Sequence, residues 1–252
     1  MNAKDTPITS KKIAALHAKA VAALAGVGQR GAPPGRPPAP ASMAGRIEHT
    51  LLAASATDED VRRVCREAEE HEFRAVCCLP RDVAYCKRRL DGTNVLVVTV
   101  LDFPLAGGGE GAAEAACRRA IEAGADEVDM VVDIRALRAG DLVAATRGVK
   151  RVVAAAAGHP VKVILETGLL TTEQIVAGAA AAEIGGASFA KTSTGYGPRG
   201  ASVEDIRILR TALGDRLSIK ASGGIRDRAA AEAMVKAGAD LIGTSNGPAC
   251  AG

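Results

Sequence analysis

Residues 188–224 of the chain read SFAKTSTGYGPRGASVEDIRILRTALGDRLSIKASGG. Two short apolar runs in this stretch, at 189–193 and 217–221, flank a segment whose apolar residues have helical spacing. This order is typical of a β-α-β unit, in which a helix joins two parallel strands. Each run also carries a lysine, Lys191 or Lys220, and is followed by small residues.

The same alternation of strand and helix extends from this unit in both directions. We count eight strand-like runs, with a helix expected in each interval between them: 46–52, 75–80, 95–104, 127–133, 162–168, 189–193, 217–221 and 241–244. Eight parallel strands with right-handed crossovers predict an α/β fold, a closed (β/α)8 TIM barrel with an N-terminal helical extension. The alternative is an open doubly wound sheet, which favours a GxGxxG turn after its first strand, and no such turn follows the first run.

The size and composition of the chain fit one such barrel. A (β/α)8 barrel takes about 250 residues, and the chain has 252. Hydrophobic residues make up 48% of the chain but aromatic residues only 2%, so we expect a core of Ala, Val, Leu and Ile. Small side chains of this kind allow helices to pack closely on a sheet.

The N-terminal segment predicts an extension ahead of the barrel. Residues 8–26 have the spacing of an amphipathic helix that Ser10 would cap, and we expect this helix to dock on the barrel or on a partner. The proline-rich stretch 31–40 lacks backbone donors and predicts a semi-rigid linker. The helix and linker therefore occupy 1–41, and the catalytic barrel occupies 42–252.

Charge and cysteine usage exclude several classes of protein. The 32 basic and 29 acidic residues are interspersed, which argues against nucleic acid as a partner. The six cysteines lack CxxC pairs and the Cys/His spacing of a zinc site. We find neither a secretory signal nor an apolar run near the ~18 residues of a membrane span. The sequence therefore predicts a cytoplasmic protein without a membrane partner.

Two lysines interrupt apolar strands at the end where barrel enzymes place their reacting groups. Lys191 and Lys220 belong to neighbouring strands about 4.8 Å apart, so two inward ammonium groups would repel each other. Burial and a neighbouring cation both favour a neutral amine, the form that attacks a carbonyl to make a Schiff base. The alternative for either lysine alone is a structural ion pair.

Three carboxylates follow the same pattern. Asp129 interrupts the fourth strand, where its carboxylate is expected to hold Lys220 charged or to transfer a proton. A buried salt bridge is the alternative. Glu48 and Glu166 fit less well, and we expect them to orient the others or to be satisfied polar groups of the core.

The turns after the last two strands are typical of an anion site. They combine glycines with hydroxyl residues, in Ser222-Gly223-Gly224 and Gly243-Thr244-Ser245. Barrels commonly bind phosphate after strands seven and eight, through backbone N–H groups. Together the two turns predict a phosphorylated substrate.

These residues resemble the deoxyribose-phosphate aldolase family along nearly the whole barrel. The resemblance rests on several motifs in order: Ile47-Glu-His-Thr-Leu-Leu52, Ala75-Val-Cys-Cys-Leu-Pro80, Glu127-Val-Asp-Met-Val-Val132, Leu165-Glu-Thr-Gly-Leu-Leu170, Lys191-Thr-Ser-Thr-Gly195, Lys220-Ala-Ser-Gly-Gly224 and Ile242-Gly-Thr-Ser245.

The resemblance implies a reaction and a set of residues. The reaction is reversible cleavage of 2-deoxy-D-ribose 5-phosphate to D-glyceraldehyde 3-phosphate and acetaldehyde by a class I aldolase, without a metal or another cofactor. It assigns the Schiff base to Lys191, the second lysine to Lys220 and proton transfer to Asp129. It also implies substrate contacts for Cys77 and, at the phosphate, for a set of loop residues: Gly195, Gly223, Gly224, Thr244 and Ser245. A homodimer is the assembly that the likeness suggests.

The chain departs from the family pattern at several points. Glu48 replaces the usual aspartate and reaches one methylene further, and Tyr196 and Arg199 stand where Phe and Gly are common. We expect Arg199 either to contact phosphate or to face solvent. Residues 246–252 are too few for an ordinary closing helix, so the barrel is expected to be partly uncovered there, unless the N-terminal helix or a second subunit covers it.

Three other functions compete with this interpretation. The nearest is a lysine aldolase of phosphorylated sugars with a different donor, such as dihydroxyacetone or pyruvate. The second is a phosphosugar-binding barrel without turnover, against which the joint presence of Lys191, Lys220 and Asp129 argues. The third is a metal-dependent epimerase, which is disfavoured because the four histidines do not cluster at successive strand ends.

Overall fold

The computed structural model describes residues 9–27, 35–109 and 111–252. Within these ranges, eight parallel strands pair in chain order and close into a barrel, which confirms the predicted fold. The strands are β1 Ile47–Leu51, β2 Ala75–Cys78, β3 Leu96–Leu101, β4 Glu127–Val131, β5 Val161–Ile164, β6 Phe189–Lys191, β7 Ser218–Ser222 and β8 Leu241–Thr244. Several are shorter than predicted, because the apolar runs continue into buried loops at their ends.

A helix lies in every interval between strands, as the alternation predicts. In chain order the helices are α1 Ser10–Ala23, α2 Asp58–Glu70, α3 Val83–Arg89, α4 Ala112–Glu122, α5 Ile134–Ala139, α6 Leu142–Ala155, α7 Thr172–Gly185, α8 Val203–Leu213, α9 Arg228–Ala237 and α10 Gly247–Ala251. The interval between β4 and β5 holds two of them, α5 and α6.

Local signals set where these helices begin, and small residues let them pack. Thr57, Thr171 and Ser202 each form a reciprocal capping box at the start of α2, α7 or α8, which satisfies backbone donors there. Four consecutive alanines of α7, residues 179–182, are fully buried. A Cβ at Gly185 would overlap the side chain of Val149, so glycine allows α6 and α7 to approach closely.

The N-terminal helix docks on the outside of the barrel. The helix α1 packs against α7 and α8, and its cap is Thr9 rather than the expected Ser10, because the Thr9 hydroxyl accepts from the Lys12 amide. His17 of α1 lies against Glu183 of α7, with 2.9 Å between Nε2 and Oε2. Residue 8 of the predicted helix and residues 31–34 of the predicted linker lie outside the described residues.

The C-terminus corrects one expectation. Residues 247–251 do form a helix, α10, which packs against α9, β1 and α2 and buries Cys250 completely. The expectation of an uncovered end was wrong, because one and a half turns are enough where Gly247 fits tightly against Phe73 and His49. The helix α1 lies elsewhere, on α7 and α8.

Among the described residues, no helix combines the length and the apolar character that crossing a membrane requires.

Candidate active site

Four consecutive strands carry ionisable side chains into the barrel interior. In the strand register, Asp129 of β4 is paired with Lys162 of β5, and Lys191 of β6 is paired with Lys220 of β7. Asp129, Lys162 and Lys220 are fully buried, and only 3% of Lys191 is exposed. Parallel pairing therefore brings together residues that are far apart in the chain.

Asp129 is the centre of this group. Its Oδ2 accepts from the Nζ of Lys191 at 2.7 Å and from the Nζ of Lys220 at 2.8 Å. Its Oδ1 accepts from the Nζ of Lys162 at 2.9 Å. The lysines that the sequence places on neighbouring strands thus share one carboxylate oxygen, and both point inward.

A further layer of charges lies beneath Asp129. The Nζ of Lys162 also pairs with Glu127 at 2.7 Å and lies 3.4 Å from an oxygen of Glu48. Arg74 pairs with both of these glutamates, at 3.0 Å from Nη1 to the Oε1 of Glu48. The other oxygen of Glu48 accepts from Lys220. The longer side chain of Glu48 thus contacts three cations at once.

The charges of this cluster balance when Lys191 is neutral. Among the described residues, the cluster contains three carboxylates and four basic groups: Glu48, Glu127 and Asp129 against Arg74, Lys162, Lys191 and Lys220. Because an unpaired buried charge is costly, the arrangement favours three cations and one free amine.

The pKa of each lysine follows its partners. Burial lowers the pKa of Lys191, the charge of Lys220 lowers it further, and Asp129 opposes both. Burial also opposes the charges of Lys220 and Lys162, but their carboxylate partners outweigh it and raise both pKa values. Lys191 is therefore the group favoured as the neutral amine, although burial contributes more to this than the repulsion does.

The carboxylates stay ionised for the same reason. Burial would raise the pKa of Asp129, but Lys162, Lys191 and Lys220 hold it well below its usual range. Burial also opposes ionisation of Glu127, yet Lys162 and Arg74 lower its pKa to about 2.

A cavity of about 360 Å³ opens above Lys191. The ends of β6, β7, β8 and β1 and the loops after them line it. The lining includes six residues predicted for the site: Lys191, Gly195, Gly223, Gly224, Thr244 and Ser245. Asp129, Lys220 and Cys77 do not line it and are fully buried. Burial raises the pKa of the Cys77 thiol. A larger cavity of about 460 Å³ lies beside α4 and α6, without any of the predicted site residues.

Glycines determine the conformation of the loop after β7 and how closely the loop after β6 approaches it. Gly223 and Gly224 both have positive φ, +89° and +77°, which side chains rarely tolerate. A Cβ at Gly200 would overlap the carbonyl of Gly223, so the loop after β6 can lie directly on this turn. The hydroxyl of Thr244 donates to the carbonyl of Ile225 at 2.6 Å. This hydrogen bond connects the end of β8 to the loop after β7.

Glu166 and Arg199 support the loop after β6 from outside the cavity. The Glu166 backbone is left-handed, with φ of 55°, and one carboxylate oxygen accepts from the amide of Thr194 at 3.1 Å. The guanidinium of Arg199 pairs with Asp205, with 3.0 Å between Nη2 and Oδ1, and also donates to the carbonyl of Thr167. Of the two expectations for Arg199, the structure fits the second: its side chain is exposed to solvent and paired with Asp205 at the start of α8, and it does not line the cavity.

Sequence reasoning missed two groups of the site. Lys162 lies mid-strand between valines, and the same apolar flanks that singled out Lys191 could have identified it. Arg226 directly follows the glycine turn and lines the cavity, and its guanidinium forms no ion pair or hydrogen bond with the described residues. Its place immediately after Gly223, Gly224 and Ile225 was the available signal.

Comparison with known proteins identifies the family. The model of the DeoC/LacD family aldolases matches residues 42–250. The chain belongs to this family. It is therefore an enzyme of the aldolase class, a carbon–carbon lyase, and the buried lysine cluster lies within the matched residues.

Individual members of the family show the same relationship. The deoxyribose-phosphate aldolase of Acholeplasma laidlawii is 47% identical over 201 residues, covering 80% of this chain and 90% of the relative. The aldolase of the same name from Deinococcus radiodurans is 44% identical over 206 residues, covering 82% and 94%.

Solved structures of family members superpose well on the barrel. A candidate deoxyribose-phosphate aldolase from Coccidioides immitis has a TM-score of 0.83 and 32% identity, covering 97% of each chain. The tetrameric deoxyribose phosphate aldolase of Aeropyrum pernix has a TM-score of 0.77 and 33% identity, covering 83% of this chain and 89% of that one. Mandelate oxidase, with 17% identity and a TM-score of 0.56, shares the fold alone.

Proposed function

We propose that the chain reversibly cleaves 2-deoxy-D-ribose 5-phosphate to D-glyceraldehyde 3-phosphate and acetaldehyde through a Schiff base on Lys191. One observation carries the proposal. Of the three lysines bound to Asp129, Lys191 lines the cavity and has a lowered pKa, whereas Lys162 and Lys220 lie beneath it with raised pKa values. A reactive amine is thus available where a substrate carbonyl can reach it.

The steps follow from this placement. The amine of Lys191 attacks C1 of the open-chain sugar to give a carbinolamine. A proton from Lys220, passed through Asp129 and an ordered water, allows its hydroxyl to leave as water, which gives a protonated imine beside the carboxylate of Asp129. The C3 hydroxyl then returns this proton to Lys220 through the water and Asp129, and the C2–C3 bond breaks with its electrons moving into the imine. Glyceraldehyde 3-phosphate leaves, and an enamine of acetaldehyde stays on Lys191.

The second half-reaction needs a proton at carbon. We assign proton transfer to Asp129 and Lys220, which are hydrogen-bonded to each other and, through Asp129, to the reacting amine. Protonation of the enamine at C2 restores the imine, and water releases acetaldehyde and the free lysine. Glu48 holds Lys220 charged for this role.

The phosphate is assigned to the far side of the same cavity. Gly195, Gly223, Gly224 and Ser245 line it there, and Arg226 adds a positive charge without a partner among the described residues. Binding of the phosphate would fix the reacting carbon near Lys191 and convert binding energy into orientation.

The test is a coupled assay for glyceraldehyde 3-phosphate with the purified chain and deoxyribose 5-phosphate. We expect enzyme-dependent release of the triose phosphate, and acetaldehyde as the preferred donor in the reverse direction. Preference for dihydroxyacetone or pyruvate would identify a different aldolase. Binding without cleavage would contradict the proposal and support a barrel that binds phosphosugars without turnover.

The pH dependence of kcat/KM should report Lys191. Its neutral form attacks, so activity rises with pH through the lysine pKa and levels off. Because that pKa is lowered, the plateau should begin below the value of about 10.4 for an ordinary lysine. Asp129 stays ionised throughout and adds no acid limb. A rise centred at or above the ordinary lysine value would contradict a neutral Lys191.

The assembly and the location are also proposals drawn from the family. We propose a homodimer, and a solved relative from Aeropyrum pernix is tetrameric, which supports self-association. A cytoplasmic location fits the small phosphorylated substrate.

A further inference from the structure

Tyr196 connects two loops across the mouth of the barrel. It belongs to the loop after β6, and its hydroxyl donates to the backbone carbonyl of Leu52, in the loop after β1, at 2.8 Å. Strands β6, β7, β8 and β1 are consecutive around the closed barrel. The bond therefore joins the two ends of the arc of loops that lines the cavity above Lys191.

The position of the tyrosine is set from two sides. Its ring meets the ring of Phe103, from the loop after β3, edge-on, with centroids 5.5 Å apart and planes at 83°. Its backbone amide donates to the hydroxyl of Thr194 at 3.0 Å, and Thr194 is itself held by Glu166. With 58% of Tyr196 exposed, the side chain forms part of the rim and is not buried in the core.

We infer that the hydroxyl of Tyr196 strengthens the preference for a phosphorylated substrate beyond what the phenylalanine common in the family would give, because its bridge to Leu52 closes the ring of loops around the phosphate. This inference rests on the proposed function. The anion-binding candidates Gly223, Gly224 and Ser245 lie in the two middle loops of the arc, between the loops that the bridge joins. Closing the ring limits access of water, and electrostatic interactions with a dianion are stronger when water is excluded.

A substrate without phosphate gains nothing from this enclosure. The bridge should therefore favour phosphorylated over unphosphorylated sugars without affecting the chemistry at Lys191. Phenylalanine at position 196 keeps the ring and its contact with Phe103 and removes only the hydroxyl.

The experiment compares Tyr196→Phe with wild type and with Tyr85→Phe. The chain has two tyrosines, and Tyr85 lies on α3, away from the cavity, so it is a matched control. We expect kcat/KM for deoxyribose 5-phosphate to fall about fivefold in Tyr196→Phe, the size expected for one hydrogen bond, mainly through KM. For unphosphorylated 2-deoxyribose, the change should stay below about twofold. Tyr85→Phe should match wild type with both sugars.

Two outcomes would overturn the inference. An equal loss with both sugars would make Tyr196 a structural residue, and no loss with either would make the bridge irrelevant. If wild type cleaves neither sugar, the proposed function fails, and calorimetry with inorganic phosphate then tests the enclosure on its own. Weaker phosphate binding by Tyr196→Phe than by Tyr85→Phe would support it, and equal binding would refute it.

Discussion

Lys191→Met is expected to abolish both cleavage and imine formation while the barrel stays folded. Methionine has similar length but no amine, so the covalent route is lost. Loss of a nucleophile in enzymes that use covalent catalysis lowers kcat by several orders of magnitude, and we expect a fall of at least about 10⁴-fold. Stability should change little, because the cluster of charges is already balanced without a charge on Lys191.

Borohydride reduction in the presence of acetaldehyde traps the imine and so measures directly whether it forms on Lys191. Peptide mass spectrometry of wild type should place the added ethyl group on Lys191, and the Lys191→Met protein should remain unlabelled. Lys220→Met is the matched variant, since it removes the neighbouring buried lysine, and its label should still be found on Lys191. Labelling should be slower than in wild type, because three carboxylates then face three basic groups and favour a charged Lys191. Labelling of Lys220 or Lys162 in Lys191→Met would show that the nucleophile was assigned wrongly.

Asp129→Asn is expected to lose both activity and stability. Asparagine keeps the shape of the side chain but removes the charge that Lys162, Lys191 and Lys220 share. Removing one partner from a buried ion pair typically costs about 3–5 kcal/mol of unfolding free energy. Loss of a proton-transfer group lowers kcat by about 10²–10⁴-fold.

The imine should nevertheless still form in Asp129→Asn. Because the carboxylate opposes the lowering of the Lys191 pKa, removing it lowers that pKa further, and trapping at Lys191 should persist. Urea denaturation measures the stability, with Asp133→Asn as control. Asp133 is an exposed cap of α5, where asparagine serves equally well. An Asp129→Asn protein as stable as this control would show that the charge of Asp129 is not needed to stabilise the buried lysines.

The sequence was sufficient for the barrel because the signals for its elements are local. Apolar runs, helical spacing and capping residues such as Thr171 lie within a few positions of one another. One further rule, that reacting groups lie at strand ends, made Lys191, Lys220 and Asp129 candidates. The structure brings the three together, but only Lys191 ends its strand, and Asp129 and Lys220 lie in the middle of β4 and β7. The short α10 was missed, because its stability depends on the fit of Gly247 against Phe73 and not on its own five residues.

Which charges balance one another was decided only by the tertiary structure. Glu48 and Lys220 are 172 positions apart, and Arg74 lies in the connection between α2 and β2. Closure of the barrel nevertheless places all three in one buried cluster. The preference for a neutral Lys191 therefore depends on a sum over partners from several strands, which no local pattern contains. The bridge from Tyr196 to Leu52 also depends on the tertiary structure. The two residues meet only because β6 and β1 end at the same end of the closed barrel. Sequence alone determined the strands, the helices and the reactive residue types, because these depend on neighbours in the chain. The protonation state of Lys191 and the enclosure of the cavity depend on neighbours in space.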